Sequence, residues 1–157
     1  AGAVGEQVEL ALLDAVLHLA AGAVDLLVER TRVDLGVLQG GDDEARVGAA
    51  LASARHDWVA LIGCDMPFLP PTIWSLLFPH ARNARIVVPE SADGLEPLAA
   101  LYHRDVLPIV EQRLQAGGSP IRWLLKDLPS HVVPWRDLGP HLPPDAFLNA
   151  NRPEDLP

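Results

Sequence analysis

Val8, Leu12, Val16, Leu19 and Ala20 recur at helical spacing, while Gln7, Asp14 and His18 fall on the opposite side. The pattern predicts an amphipathic helix over residues 6–21, with Gly22 placed to close it. Residues 24–28 then read as a short buried strand, continuation of the helix to Arg30 being the alternative. Between residues 30 and 48 no period survives. Glycines at 36, 40, 41 and 48 surround Asp42, Asp43 and Glu44, so a loop leading into a helix is expected. Residues 43–55 are alanine-rich and helix-prone, and they feed into Trp58-Val59-Ala60-Leu61-Ile62-Gly63. An uninterrupted apolar run of this length suits a central parallel strand covered on both faces.

Downstream, Pro70-Pro71 opens a helix through Trp74, Leu77 and Phe78, with Pro71 near its first position. Short strands are expected over residues 85–89, 97–102 and 131–133. A helix over 105–116 is closed by Gly117-Gly118, and a further helix is capped by Ser119 and runs through Leu125. Strands alternating with helices define an α/β chain, a three-layer sandwich around a mostly parallel sheet. No repeat or linker divides residues 1–157.

Composition narrows the function. The chain has 157 residues, enough for one domain burying about 70% of the surface its unfolded form exposes. Apolar residues at 49% and charged residues at 21% exclude a disordered chain. A net charge of -9 and only 5% aromatics remove both the cationic footprint and the stacking platforms of a nucleic-acid binder. The longest apolar stretch, residues 10–28, is interrupted by Asp14, His18 and Asp25, so no membrane span is expected. One cysteine, Cys64, and no basic leader segment point to a cytoplasmic protein. The chain opens Ala-Gly-Ala without an initiator Met, so its natural start is expected elsewhere.

Asp65 is the leading candidate for chemistry. It follows a buried strand, and in open α/β sheets ligands lie outside the carboxyl ends of strands. Gly63 permits close approach of the backbone, and Pro67 stops the turn from continuing as a helix. One carboxylate there suits Mg2+, which is held by one or two carboxylates, phosphates and water; the bland alternative is that Asp65 only caps the turn. His103, Cys64, the dispersed tryptophans at 58, 74, 123 and 135, and the acidic cluster at 42–44 read as structural or solvated residues.

Three segments follow in order: W-V-A-L-I-G-C-D-M-P-F-L-P-P, then E-P-L-A-A-L-Y, then F-L-N-A-N-R-P-E-D-L. Together they resemble the molybdenum cofactor guanylyltransferases of the MobA-like nucleotidyltransferase superfamily, closely over residues 48–157. The resemblance implies transfer of GMP from GTP to molybdenum-bound molybdopterin, with release of pyrophosphate. It implies that Asp65 binds Mg2+ beside the nucleotide phosphates, that the strand bounded by Leu98 and Tyr102 lines the pterin side, and that Asn149 and Asn151 hold molybdopterin. For the asparagines an Asx-turn before Pro153 is the alternative. Residues 36–40, preceded by Asp34, resemble a glycine-bounded loop approaching the nucleotide. A molybdoenzyme would receive the product.

One departure sets the main expectation. The family opens with a strand and a loop of paired glycines, an Arg-Met-Gly stretch and an Asp-Lys pair that hold the triphosphate. In this chain Lys126 is the sole lysine, and no such loop appears near residue 1. Phosphoryl transfer depends on positioning and on neutralising phosphate charge. Residues 1–47 therefore read as an incomplete nucleotide-side part of a fragment or degenerate copy, inactive as given. The alternatives are a non-catalytic pterin-binding or interaction module, or a cytidylyl- or sugar-phosphate nucleotidyltransferase.

Overall fold

The sheet is organised around Trp58–Gly63 (β2), which pairs in parallel with Val33–Leu38 (β1) and antiparallel with Leu101–His103 (β5). The computed structural model describes residues 33–38 and 42–155; the helix expected over 6–21 and the strand over 24–28 lie outside them. Ile86–Ser91 (β3) pairs antiparallel with β5 and with Gly94–Leu95 (β4), and in parallel with Ser130–Val133 (β6). Strand order is β1-β2-β5-β3-β4, with β6 on β3. Following these pairings, β1, β2, β3 and β6 share one direction and β5 runs against them. The sheet is mostly parallel, with one reversed strand beside its central one.

β2 alternates between two cores. Val59 and Leu61 pack with Val47 and Leu51 of the helix Asp43–Ala52 (α1) and Val110 of the helix Leu107–Gln115 (α3). Ala60 and Ile62 pack with Ile73, Trp74 and Leu77 of the helix Thr72–Leu77 (α2). Both faces of the strand are thus covered, which explains a run with no polar position; each fully buried aliphatic side chain contributes about 1.5–3 kcal/mol. Short helices Leu124–Asp127 (α4) and Trp135–Leu138 (α5) flank β6 in the chain.

The loop expected across 30–48 is a correction: residues 33–38 form β1. Gly36 is required by packing, since a Cβ there would stand 2.5 Å from Leu61 Cδ2 and 3.1 Å from the Ala50 Cβ. The strand expected over 97–102 is regular only from Leu101, although Gly63 N–H still donates to the Leu98 carbonyl at 2.8 Å. Ser119 caps no helix. The turn Ile121–Trp123 that leads into α4 starts from Pro120, and Ser119 is used elsewhere. Pro71 is the N-cap of α2.

Candidate active site at the carboxyl end of the central strand

After Gly63 the chain turns at once, with Met66 N–H donating to the Gly63 carbonyl at 3.1 Å. Asp65 lies on this turn, half-buried, and its carboxylate has no hydrogen-bond or ion-pair partner among the described residues. A Cβ at position 63 would lie 2.6 Å from Asp65 Oδ1, so the carboxylate folds back over the space that the glycine leaves. The Asp65 carbonyl accepts a hydrogen bond from Ala150 N–H at 2.7 Å, and Ala146 and Ala150 are fully buried. This bond brings the closing segment of the chain to the end of β2.

Asp65, Leu98 and Asn149 line one cleft of about 810 Å³. Tyr102 does not. Strand alternation turns it into the core beside α1, where it is fully buried and its hydroxyl donates to the Pro97 carbonyl at 2.8 Å. Burial, with a smaller contribution from Asp43, pushes its pKa up, so it stays a protonated donor that fixes the wall carrying Leu98. Asn151 is exposed, is not among the residues lining the cleft, and donates its backbone N–H to Asp155 Oδ2 at 3.0 Å.

Asp34 lies at the other end of the sheet, paired in register with Val59, whereas Asp65 follows Gly63. Its carboxylate accepts from the backbone N–H groups of Arg55 and His56 at 2.6 and 2.7 Å and meets His56 Nδ1 at 2.9 Å. Burial opposes ionisation there, but these donors outweigh it and hold the carboxyl below its ordinary range. The loop suggested for residues 36–40 is a strand at least to Leu38, and Asp34 closes the β1–β2 layer away from the cleft.

The far wall is the turn after α3, where Gly117 and Gly118 take φ of 103° and 69°. A buried ionic network holds it. Arg113 Nε donates to Glu44 Oε1 at 2.5 Å and Arg113 also donates to Asp127, while Glu44 Oε2 accepts from Ser119 N–H at 2.7 Å and the Arg113 guanidinium donates to the Ser119 hydroxyl. Glu44 is fully buried on α1, so the network joins two helices to the cleft's edge.

The sequence reading missed two cleft residues. Arg122 is the one Lys or Arg among the described residues lining the cleft, and Glu96 stands between Asp93 and Leu98 on its wall. Glu96 opens the E-P-L-A-A-L-Y segment, but the resemblance assigns a role only to the strand from Leu98 onward; Arg122 sits in no such segment, and only the fold brings it to the cleft of Asp65. Burial, then the charges of Asp93 and Asp65, push the Glu96 carboxyl above its usual range despite a hydrogen bond from Ser91.

A divalent cation fits this arrangement through Asp65. Its carboxylate is unpartnered and open to the cleft, whereas no group of three or more His, Cys, Asp or Glu among the described residues forms a closed metal cage. A single protein carboxylate leaves room for water and phosphate oxygens, the pattern Mg2+ favours. No helix among the described residues is long and apolar enough to cross a membrane.

The fold is that of the α/β nucleotidyltransferases. Molybdopterin-guanine dinucleotide biosynthesis protein A of Archaeoglobus fulgidus matches it with a TM-score of 0.67 at 21% identity, over 92% of this chain and 80% of that one. A Mycobacterium tuberculosis H37Rv protein solved in complex with manganese matches with a TM-score of 0.51 at 18% identity, over 83% and 85% of the two chains. The molybdenum cofactor guanylyltransferase of Aliivibrio salmonicida is 31% identical over 113 residues, 71% of this chain and 56% of that protein. The chain spans about half the length of the curated relatives it matches. The family model of the MobA-like NTP transferase domain matches residues 38–132, and the chain belongs to this family.

Proposed function

We propose that the cleft serves guanylyl transfer: an oxygen of the terminal phosphate of molybdenum-bound molybdopterin bonds to the α-phosphorus of GTP, and the bond to pyrophosphate breaks. The observation that supports this most directly is the unpartnered Asp65 carboxylate sharing one cleft with Leu98 and Asn149. Asp65 would hold Mg2+, which neutralises phosphate charge when bound. The Asn149 amide offers donors and an acceptor to the pterin or its phosphate, Leu98 an apolar contact, and the Arg122 guanidinium a phosphate partner. The attacking group belongs to the substrate, so the reaction requires no protein nucleophile. The product would pass to a molybdoenzyme.

One observation favours a second reading, a pterin-binding module that does not turn over by itself. Among the described residues, five carboxylates, at Asp42, Asp43, Asp65, Asp93 and Glu96, line the cleft against one guanidinium. Each missing donor to a developing charge costs on the order of 10²–10³ in rate. The test is Mg2+-dependent binding of molybdopterin to this chain, together with pyrophosphate release from GTP. Binding that weakens at least tenfold in Asp65→Asn supports the site. Pyrophosphate release separates enzyme from module, and absence of molybdopterin binding refutes both.

A further inference from the structure

Ser91, at the end of β3, is buried and serves the turn beyond it. Its hydroxyl donates to Glu96 Oε1 at 2.6 Å and accepts from Asp93 N–H at 3.1 Å. The Glu96 backbone is fixed on both sides: its N–H donates to the Pro89 carbonyl at 2.9 Å, and its carbonyl accepts from Ala99 N–H at 3.0 Å. Gly94, with φ of 131°, makes the tight hairpin that this requires. The result is a carboxylate locked at the cleft wall, with Oε2 without a partner among the described residues.

A carboxylate offers about four lone-pair positions, and Ser91 occupies one. Burial and the charges of Asp93 and Asp65 work against its ionised form, so a ligand that donates to the carboxylate favours that form. Among the described residues Glu96 joins no group of three or more metal-ligating side chains, so hydrogen-bond donors are a natural complement to its free oxygen. Leu98, two residues on, presents an apolar side chain to the same space, suited to a flat ring.

We propose that Glu96 is the specificity residue of the cleft, reading the 2-amino-4-oxopyrimidine edge of a bound ring through its adjacent ring N–H and exocyclic amino donors. That edge is common to pterins and guanine. The inference rests on the reading of the cleft as the pterin side, and it goes further in naming the edge and the residue that reads it. Glutamine would keep the size and a bond to Ser91, but would turn a donor toward the ligand's donors. A site built to bond such groups discriminates strongly against analogues lacking them.

The experiment measures binding to the 157-residue chain, with Mg2+, of two matched pairs: 6-hydroxymethylpterin against 6-hydroxymethyllumazine, and GMP against IMP. The wild-type chain is expected to favour the amino-bearing pterin at least tenfold. Glu96→Gln should reduce that preference to within about twofold while still binding lumazine, and Ser91→Ala should lower it by an intermediate factor. Equal binding within both pairs by the wild-type chain, or a preference that survives Glu96→Gln, overturns the role of Glu96 and leaves the pterin-side reading standing. A preference confined to the GMP pair supports edge reading by Glu96 and overturns the pterin-side assignment. Failure to bind either pterin or GMP overturns both.

Discussion

Ala150 N–H donates to the backbone carbonyl of Asp65 at 2.7 Å, a bond that spans 85 residues of chain and ends at the candidate metal ligand. It places Asn149 on the rim of the same cleft. The two motifs at either end of this bond therefore act as one structural unit.

Ala150→Pro tests that unity. Proline removes the N–H, leaving the Asp65 carbonyl without this donor, and a hydrogen bond of this kind contributes about 0.5–1.5 kcal/mol. The variant should melt with a lower urea midpoint and weaken Mg2+-dependent molybdopterin binding, which requires both sides of the cleft. Unchanged binding in a folded Ala150→Pro chain would show that the closing segment is not needed there.

The Glu44–Arg113 pair is expected to matter more to stability than any surface ion pair. Glu44 is fully buried and accepts from both Arg113 and Ser119 N–H, so Glu44→Ala strands the Ser119 N–H and leaves the half-buried Arg113 guanidinium with only Ser119 and the exposed Asp127 as partners. Losing these charge-assisted hydrogen bonds is expected to cost about 1.5–3 kcal/mol, readable as a shift of the urea midpoint at constant slope. Asp127→Ala removes the exposed arm of the same network and should cost well under 1 kcal/mol.

Asp34 sets part of the acid limb of stability. Its carboxyl is held below the ordinary range in the folded chain, so the unfolded chain binds the proton more readily. The stabilisation is complete above the ordinary carboxylate pKa of about 4 and is lost as pH falls through the lower folded value. Urea midpoints measured from pH 6 down to pH 3 should fall less steeply in Asp34→Asn than in wild type. Equal slopes would contradict the assignment.

Sequence pattern made parts of this architecture readable and hid others for physical reasons. β2 was legible because both its faces are covered, which forces apolar residues at successive positions. Asp65 was legible because a strand end followed by Pro67 is a local signal. β1 was not: Gly36 reads as a loop marker, yet it is there because Leu61 and Ala50 leave no room for a Cβ. Its motif points Tyr102 to the cleft, but alternation along β5 buries it, and its contribution passes through the Pro97 carbonyl. Asn151 lies in the same motif as Asn149, yet its backbone is taken by Asp155 and its side chain is exposed. Arg122 becomes a cleft residue only through contacts between segments distant in sequence, which no local period encodes, whereas Glu96 opens the same segment as Leu98 and is set apart only by its bond to Ser91.

Direct measurement of divalent-cation binding tests the central claim that Asp65 holds the metal in the cleft shared with Asn149. Mn2+ is titrated into the chain in the presence of molybdopterin and followed by electron paramagnetic resonance, for the wild type and for Asp65→Asn. The account predicts one bound Mn2+ per wild-type chain and at least a tenfold loss of affinity in Asp65→Asn, with both proteins equally folded by circular dichroism. Equal Mn2+ affinity in the two chains would contradict it.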